Sequence, residues 1–320
     1  MQTITRATVA GTGMMGPGIA STLALGGVRT TILGRTEGRA WNALHMAREQ
    51  LLLLEQNALI SPAQANRAIE LLDSSHDFAE ALEGCELVIE SIPEDMAVKQ
   101  AWIEAVEAVV SPDCWIASNT SGLSITVMGA KARHPERICT THFWNPAHLM
   151  PLVEIVRSPS TSEEVVQGLR ALLERCGKVP VVVKKDRPGQ LGNRLQMAMV
   201  REAVNIIAEG IADVEDVDRA ASLGFGLRLP VYGIFEHQDL VGRDAYTVCD
   251  YVSKDLYNES GAPPLYKLLH DKGSLGTGPG KGFHDWTRKD PDQVRQRRDR
   301  WLREFLKGPY GEHIRPKDQA

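Results

Sequence analysis

The chain has 320 residues, room for two domains that could each bury a core, with 43% hydrophobic and 24% charged residues, the balance of an ordinary globular protein. A formal net charge of −5 offers no basic surface to nucleic acid, and apolar runs such as residues 51–54 are far too short to span a bilayer. The five cysteines, Cys85, Cys114, Cys139, Cys176 and Cys249, are odd in number without C-x-x-C spacing, so they read as free thiols of a reducing compartment. With no secretory leader before the first strand and no retrieval signal in Lys317-Asp318-Gln319-Ala320, the expected location is the cytoplasm.

Residues 7–10 read as a short buried strand, and Gly11-Thr12-Gly13-Met14-Met15-Gly16 follows at once, with Pro17 at a helix start and Ile19, Leu23 and Leu25 as its apolar face. Gly11 suits a tight turn, Gly13 lets backbone N–H groups approach a pyrophosphate, and Gly16 allows close helix–strand packing. The helix N-terminus then favours anionic phosphates. Placed between strand and helix, the pattern reads as a dinucleotide site.

A second strand at 30–33 should end at the residue that reads the adenosine ribose. An Asp or Glu there would bind the 2′-hydroxyl of NAD, but the positions hold Gly34 and Arg35, then Thr36 and Arg39. With no carboxylate to repel a 2′-phosphate and a planar guanidinium suited to one, the sequence favours NADP(H) over NAD(H). A helix follows over 39–57, and Ser61-Pro62-Ala63-Gln64 has the makings of a capping box. Strands are expected at 87–89, 115–117, 138–140, 152–156 and 180–183, with a helix over 96–110 after Pro93-Glu94. Strands alternating with helices imply βαβ units and a mostly parallel, doubly wound sheet. Past Pro188 helical spacing takes over: 191–208 ahead of Gly210, 214–223 ahead of Gly224, and an Arg-rich helix over 293–307 read as a solvated face. The expected division is an α/β dinucleotide-binding domain over 1–187 and an all-helical domain over 188–320.

Ligands of such sheets bind outside the carboxyl ends of the strands, where Ser121 and His142 fall. An enzyme oxidising an alcohol needs a base for the hydroxyl proton, and histidine, with an ordinary pKa near 6.5, suits that work. Glu154 interrupts the apolar run Leu152-Val153-Glu154-Ile155-Val156. A carboxylate there is costly unless paired, and an imidazole is a natural partner. Asn193, on an apolar helix, must bond backbone or substrate. A metal hydrolase built on His142, His148 and Glu154 is disfavoured, because the histidine spacing does not match a helical zinc pair and leaves the glycine turn unexplained.

Together, Gly11-Thr12-Gly13-Met14-Met15-Gly16, Ser118-Asn119-Thr120-Ser121, His142-Phe143-Trp144-Asn145-Pro146, Pro151-Leu152-Val153-Glu154 and Pro188-Gly189 with Asn193-Arg194 resemble the L-3-hydroxyacyl-CoA dehydrogenase family over residues 8–286. The resemblance implies an N-terminal Rossmann domain, a helical C-terminal domain through which members dimerise, and hydride transfer between nicotinamide and C3 of a 3-hydroxyacyl substrate, as in fatty acid metabolism. It implies His142 as general acid/base, Glu154 as its orienting partner, and Ser121 and Asn193 on the substrate oxygens. Pro93, Glu94, Lys99, Asn119 and Asn145 would join Gly11, Gly13, Met14, Met15, Gly16 and Arg35 around the cofactor.

Three departures stand against full transfer. Gly34-Arg35 replaces the acidic ribose reader. Pro151 stands where acyl-CoA members carry lysine, which is more like the lambda-crystallin (L-gulonate 3-dehydrogenase) branch or a pyridine-aldehyde-oxidising branch; Lys184-Lys185-Asp186 and the helix at Arg201-Glu202-Ala203-Val204 also echo the latter. Gly278 replaces a cofactor-contacting lysine, with Lys281 nearby. A free hydroxy acid, an aldehyde or an imine thus stands beside an acyl-CoA as substrate, with a non-catalytic cofactor-binding protein as the remaining alternative.

Overall fold

A computed structural model describes residues 3–308. An eight-stranded sheet runs in the order β3-β2-β1-β4-β5-β6-β7-β8, built from β1 (Arg6–Ala10), β2 (Arg29–Leu33), β3 (Leu72–Ser75), β4 (Leu87–Glu90), β5 (Trp115–Ser118), β6 (Ile138–Phe143), β7 (Leu152–Arg157) and β8 (Val179–Val183). All neighbours pair in parallel except β6 and β7. Alternation along the strands shows that both faces are covered: Leu87 and Ile89 enter one apolar cluster and Val88 another, as do Trp115 and Ala117 against Ile116. The first cluster packs under α1 (Gly16–Leu25), α2 (Glu37–Gln56), α3 (Pro62–Glu70) and α7 (Glu163–Arg175), the second under α4 (Phe78–Leu82), α5 (Met96–Glu107) and α6 (Ile125–Met128). This is the doubly wound sheet expected from the sequence.

The anticipated capping box forms: Ser61 and Gln64 close it on α3. Thr36 and Asp95 cap α2 and α5 as well, which the sequence reading did not include. The strand order reverses between β1 and β4, so the turn after β1 and the loop after β4 open side by side at the carboxyl edge, where a doubly wound sheet binds its ligand.

Two compact units are present: residues 3–193 with 301–308, and residues 194–300. The sequence expectation had put the change at 187/188 and assigned the whole C-terminus to the helical part. The second unit is helical, formed by most of α8 (Gly192–Ala208), then α9 (Val214–Arg219), α10 (Gly226–Arg228), α11 (Ile234–Val241), α12 (Arg243–Val252), α13 (Pro264–Asp271) and the first part of α14 (Pro291–Lys307). The helix expected over 214–223 is shorter, because a π-helical stretch, Ala220–Phe225, with non-helical backbone at Gly224, interrupts it. Arg201 donates to the carbonyls of Tyr257 and Glu259 (3.3 and 2.6 Å), while the Glu202 carboxylate accepts from the Tyr257 N–H at 2.8 Å, pinning α8 to the segment after α12. The Arg-rich helix α14 is not solvated throughout: Leu302, Phe305 and Leu306 pack on the first unit's core, because their spacing gathers them on one face of the last turns. No described helix is long and apolar enough to cross a membrane.

Candidate active site

The glycine turn is shaped by backbone contact. Gly11 has φ +131°, and a Cβ there would lie 2.4 Å from the Ser91 carbonyl oxygen, so a side chain would break the approach of the first turn to the β4 loop. A Cβ on Gly13 would meet nothing within 4 Å, which leaves open space beside the start of α1. That helix has no side-chain cap and no acidic residue in its first turn, so its N-terminal N–H groups are available to an anion. The turn therefore fits a dinucleotide pyrophosphate. Met14 is exposed and Met15 half-buried beside it, and Arg35 is exposed just past β2.

The β4 loop carries a buried ionic chain that begins on Glu90, the last residue of β4 and wholly buried. Its carboxylate takes both contacts of the Lys99 ammonium (2.7 and 2.8 Å), the Ser118 hydroxyl and the Ile92 N–H at 3.0 Å. Lys99, itself 1% exposed, reaches on to Glu94 at 3.4 Å and to the Ile92 carbonyl at 3.3 Å. Glu94 in turn accepts from the Thr120 hydroxyl (2.5 Å) and from the N–H groups of Ser121 and Gly122 (3.1 and 3.2 Å). Burial pushes its carboxyl up, but Thr120, the Lys99 ammonium and the two N–H groups outweigh this and hold it below the usual carboxylate range. Lys99 is thus a structural cation rather than a solvated charge, and Ser121 sits on a loop held by Glu94. Pro93, which precedes Glu94, is exposed.

His142 and Glu154 are direct cross-strand partners on β6 and β7, 5% and 0% exposed. The imidazole Nδ1 is 2.8 Å from Glu154 Oε2. Trp144 Nε1 donates to the same oxygen at 3.2 Å, and Oε1 accepts the N–H groups of Leu191 and Gly192 at 3.0 and 2.9 Å. Burial would raise the Glu154 carboxyl, but the His142 bond and the Gly192 and Leu191 N–H groups outweigh it, and the group is held low. An ionised acid thus faces Nδ1, fixes the ring and leaves proton exchange to Nε2. Glu154 does not lie on a sheet edge, because β8 covers the far side of β7.

The segment that caps Glu154 follows from its backbone. Gln190 is held in the left-handed region (φ 55°), its amide donating 2.8 Å to the Thr120 carbonyl. A Cβ on Gly192 would lie 2.4 Å from the Trp144 ring, so only glycine lets the indole pack there. Asn193 is half-buried rather than buried, and its amide donates to the Ser121 carbonyl at 2.8 Å. The structure therefore joins Asn193 to Ser121 through the backbone. Asn119 is buried; its side-chain oxygen accepts the Phe143 N–H at 2.8 Å and its amide reaches the Ser91 hydroxyl at 3.3 Å, tying the Ser121 loop to the His142 strand. Asn145 is exposed, just before a cis bond to Pro146.

Residues 6–187 match the model of the 3-hydroxyacyl-CoA dehydrogenase NAD-binding domain, and residues 189–286 match that of the 3-hydroxyacyl-CoA dehydrogenase C-terminal domain. The chain belongs to the 3-hydroxyacyl-CoA dehydrogenase family. It is similar to 5-formyl-3-hydroxy-2-methylpyridine 4-carboxylate 5-dehydrogenase of Mesorhizobium japonicum, 31% identical over 304 residues that cover 94% of this chain and 97% of that protein. It is similar also to a probable 3-hydroxybutyryl-CoA dehydrogenase of Bacillus subtilis, 32% identical over 283 residues, 88% of this chain and 97% of that one. Among solved structures, the 5-formyl-3-hydroxy-2-methylpyridine 4-carboxylic acid 5-dehydrogenase, described as an NAD+-dependent dismutase, superposes with a TM-score of 0.87 at 30% identity, covering 94% and 97% of the two chains. The (S)-3-hydroxybutyryl-CoA dehydrogenase of Ralstonia eutropha superposes with a TM-score of 0.73 at 26% identity, covering 89% and 99%.

The chain is accordingly an oxidoreductase of the NAD-dependent 3-hydroxyacyl-CoA dehydrogenase type, acting on CH–OH groups with NAD(H). The lean towards NADP(H) drawn from Gly34-Arg35 gains nothing from these comparisons. Sequence reasoning missed Glu90, although it carried a signal akin to that of Glu154: a carboxylate closing an apolar strand where Glu154 interrupts one. It also missed Trp144 as a partner of Glu154, and the backbone of Leu191 and Gly192, which no residue type betrays.

Proposed function

We propose that the chain moves a hydride to or from C3 of a 3-hydroxyacyl substrate, with His142 exchanging the proton of the reacting oxygen. The observation that carries this is the buried His142–Glu154 pair at the carboxyl end of β6. Bound at the Gly11–Gly16 turn, the cofactor supplies the hydride acceptor or donor. In oxidation His142 Nε2 takes the hydroxyl proton, and Glu154 stabilises the resulting imidazolium through Nδ1. In reduction the same nitrogen returns it. The Ser121 hydroxyl and the Asn193 amide serve as donors to the substrate oxygens, the latter by leaving the Ser121 carbonyl. Glu94 and Lys99, with Pro93, Asn119 and Asn145, shape the nicotinamide side, and Met14, Met15 and Arg35 border the adenosine side.

A specific observation favours a second reading, a free hydroxy acid or a ring aldehyde as substrate. The pyridine-carboxylate dehydrogenase superposes better than the hydroxybutyryl-CoA enzyme, 0.87 against 0.73, in line with the departure at Pro151 that the sequence resemblance implies. Assay of acetoacetyl-CoA, L-gulonate, 3-hydroxybutyrate and a pyridine carboxaldehyde with NAD(H) and NADP(H) separates the two. His142→Ala should abolish turnover while cofactor binding survives; retained turnover with lost binding would refute the role given to the ring.

The domains are proposed to divide as 1–187 and 188–320 in function, with the helical part serving homodimerisation. Supporting this, α9 to α13 bury no residue fully, and Phe235, Leu240, Tyr246 and Tyr251 are all more than three-quarters exposed. Sedimentation gives the test: a monomer at micromolar concentration removes the proposal. All five cysteines are free, which fits a cytoplasmic setting.

A further inference from the structure

Away from the carboxyl edge, at the opposite end of the same strands, two thiols meet. Cys85 precedes β4 and Cys114 immediately precedes β5, and these strands pair in register with Leu87 opposite Trp115. The sulfurs lie 3.7 Å apart and both residues are buried. A disulfide needs about 2.05 Å between sulfurs, so closure requires a side-chain movement of under about 2 Å between neighbouring strands. Cys139 and Cys176 are also buried, and burial pushes both thiols up to about 12.

The pair has a route to solvent. Cys85 helps to line an open surface hollow of about 440 Å³ with Ala79, Glu83, Gly84, Val109 and Ser111, wide enough for a small oxidant. It is also the thiol better prepared to react. The Cys114 thiol beside it, against the opposing effect of burial, and then the Thr8 hydroxyl and the Arg6 guanidinium hold Cys85 below the ordinary thiol range, while Cys114 is pushed up. The thiolate is the reactive form of cysteine.

We propose that Cys85 and Cys114 form a peroxide-oxidisable dithiol that closes into an intrachain disulfide across β4 and β5. The Cys85 thiolate attacks the peroxide O–O bond, giving Cys85 sulfenic acid and releasing the alcohol or water. The Cys114 sulfur then displaces hydroxide from that sulfenic sulfur, its proton leaving with the hydroxide as water. Cysteine sulfur is oxidised, peroxide is reduced, and a dithiol reductant reverses the bond. The segment enclosed contains Glu90, Glu94 and Lys99, so the crosslink clamps the base of the unit that carries the buried ionic chain.

The test uses the whole protein treated with hydrogen peroxide, quenched with an alkylating agent under denaturing conditions and digested with trypsin. Cleavage at Lys99 separates the two cysteines, so a disulfide joins otherwise distinct peptides. The expected result is a linked Cys85–Cys114 pair, lighter by two hydrogens and released by dithiothreitol, with Cys139 and Cys176 still alkylated. Cys114→Ser should instead trap a dimedone-reactive sulfenic acid on Cys85. The exposed Cys249 reports that oxidant was present. If Cys249 is consumed while Cys85 and Cys114 remain fully alkylatable, or if Cys114→Ser takes up no dimedone, the proposal is overturned.

Discussion

Glu154 Oε2 lies 2.8 Å from His142 Nδ1, and its other oxygen is filled by two backbone N–H groups, so the acid cannot rotate without losing partners on both sides. Glu154→Gln tests the arrangement. The glutamine oxygen would stay on Leu191 and Gly192, which aims its NH2 at Nδ1 and at the Trp144 N–H. The ring would then hold its proton on Nε2, the wrong nitrogen for a base. Turnover is expected to fall by about 100-fold or more, with the dissociation constant for NADH unchanged in a fluorescence titration; turnover within twofold of wild type would remove the orienting role.

The same substitution reports on acid stability. The carboxyl of Glu154 is held below its unfolded value, so its contribution is present above about pH 4.3 and lost as pH falls through the lower folded value. Urea unfolding from pH 6 downward should show wild-type protein losing its advantage over Glu154→Gln as the acid range is entered. A constant difference across that range would contradict the shift.

Glu90 and Lys99 form a pair that should be costly to break and cheap to remove. Glu90→Leu leaves a buried ammonium with Glu94 as its remaining carboxylate partner at 3.4 Å, and is expected to cost about 3–5 kcal/mol. Adding Lys99→Met should recover a good part of that loss. A double-mutant cycle in urea gives the coupling; strict additivity would mean that the pair acts independently.

Lys178 gives a pH effect of the same sign at the alkaline end of the scale. Its ammonium donates to the carbonyls of Ala147 and Met150 at 2.6 and 3.0 Å, holding the loop after His142, and burial pulls it down to about 8. Between about pH 8 and 10.5 the unfolded chain keeps a proton that the folded one has released, so this group's contribution to stability rises with pH across that window. The stability of wild-type protein relative to Lys178→Met should therefore grow from about pH 7.5 to pH 9.5. A difference that stays flat or shrinks would show that the folded lysine keeps its proton across this range.

At the ribose end, Arg35 imposes no charge penalty on a 2′-phosphate. Alongside NAD(H), the protein is expected to bind NADPH measurably, and Arg35→Asp to weaken NADPH by about tenfold or more while NADH changes little. Equal loss for both dinucleotides would place Arg35 outside the ribose pocket.

The most legible parts of the site were those carried by short contiguous patterns. The Gly11–Gly16 turn and the acid inside β7 each announce themselves within six residues, and their partners follow from chemistry. Glu90 was lost because its strand was read as ending at Ile89. The direction of β7 was also there to be read: the eight residues between Phe143 and Leu152 are too few for a parallel crossover, and only a reversed strand sets Glu154 opposite His142. What no pattern held was the use of backbone, the N–H groups of Leu191 and Gly192 on Glu154, because peptide donors have no residue type. The end of α14 was obscured differently, its arginines outnumbering Leu302, Phe305 and Leu306.

That final helix has a consequence for dissection of the molecule. Leu306 closes over Leu54, Leu59 and Ile60, near Lys178, from more than 100 positions downstream. A recombinant piece stopping at residue 187 would thus retain every strand yet bare an oily groove, and should clump where a version splicing 193 to 301 stays dispersed.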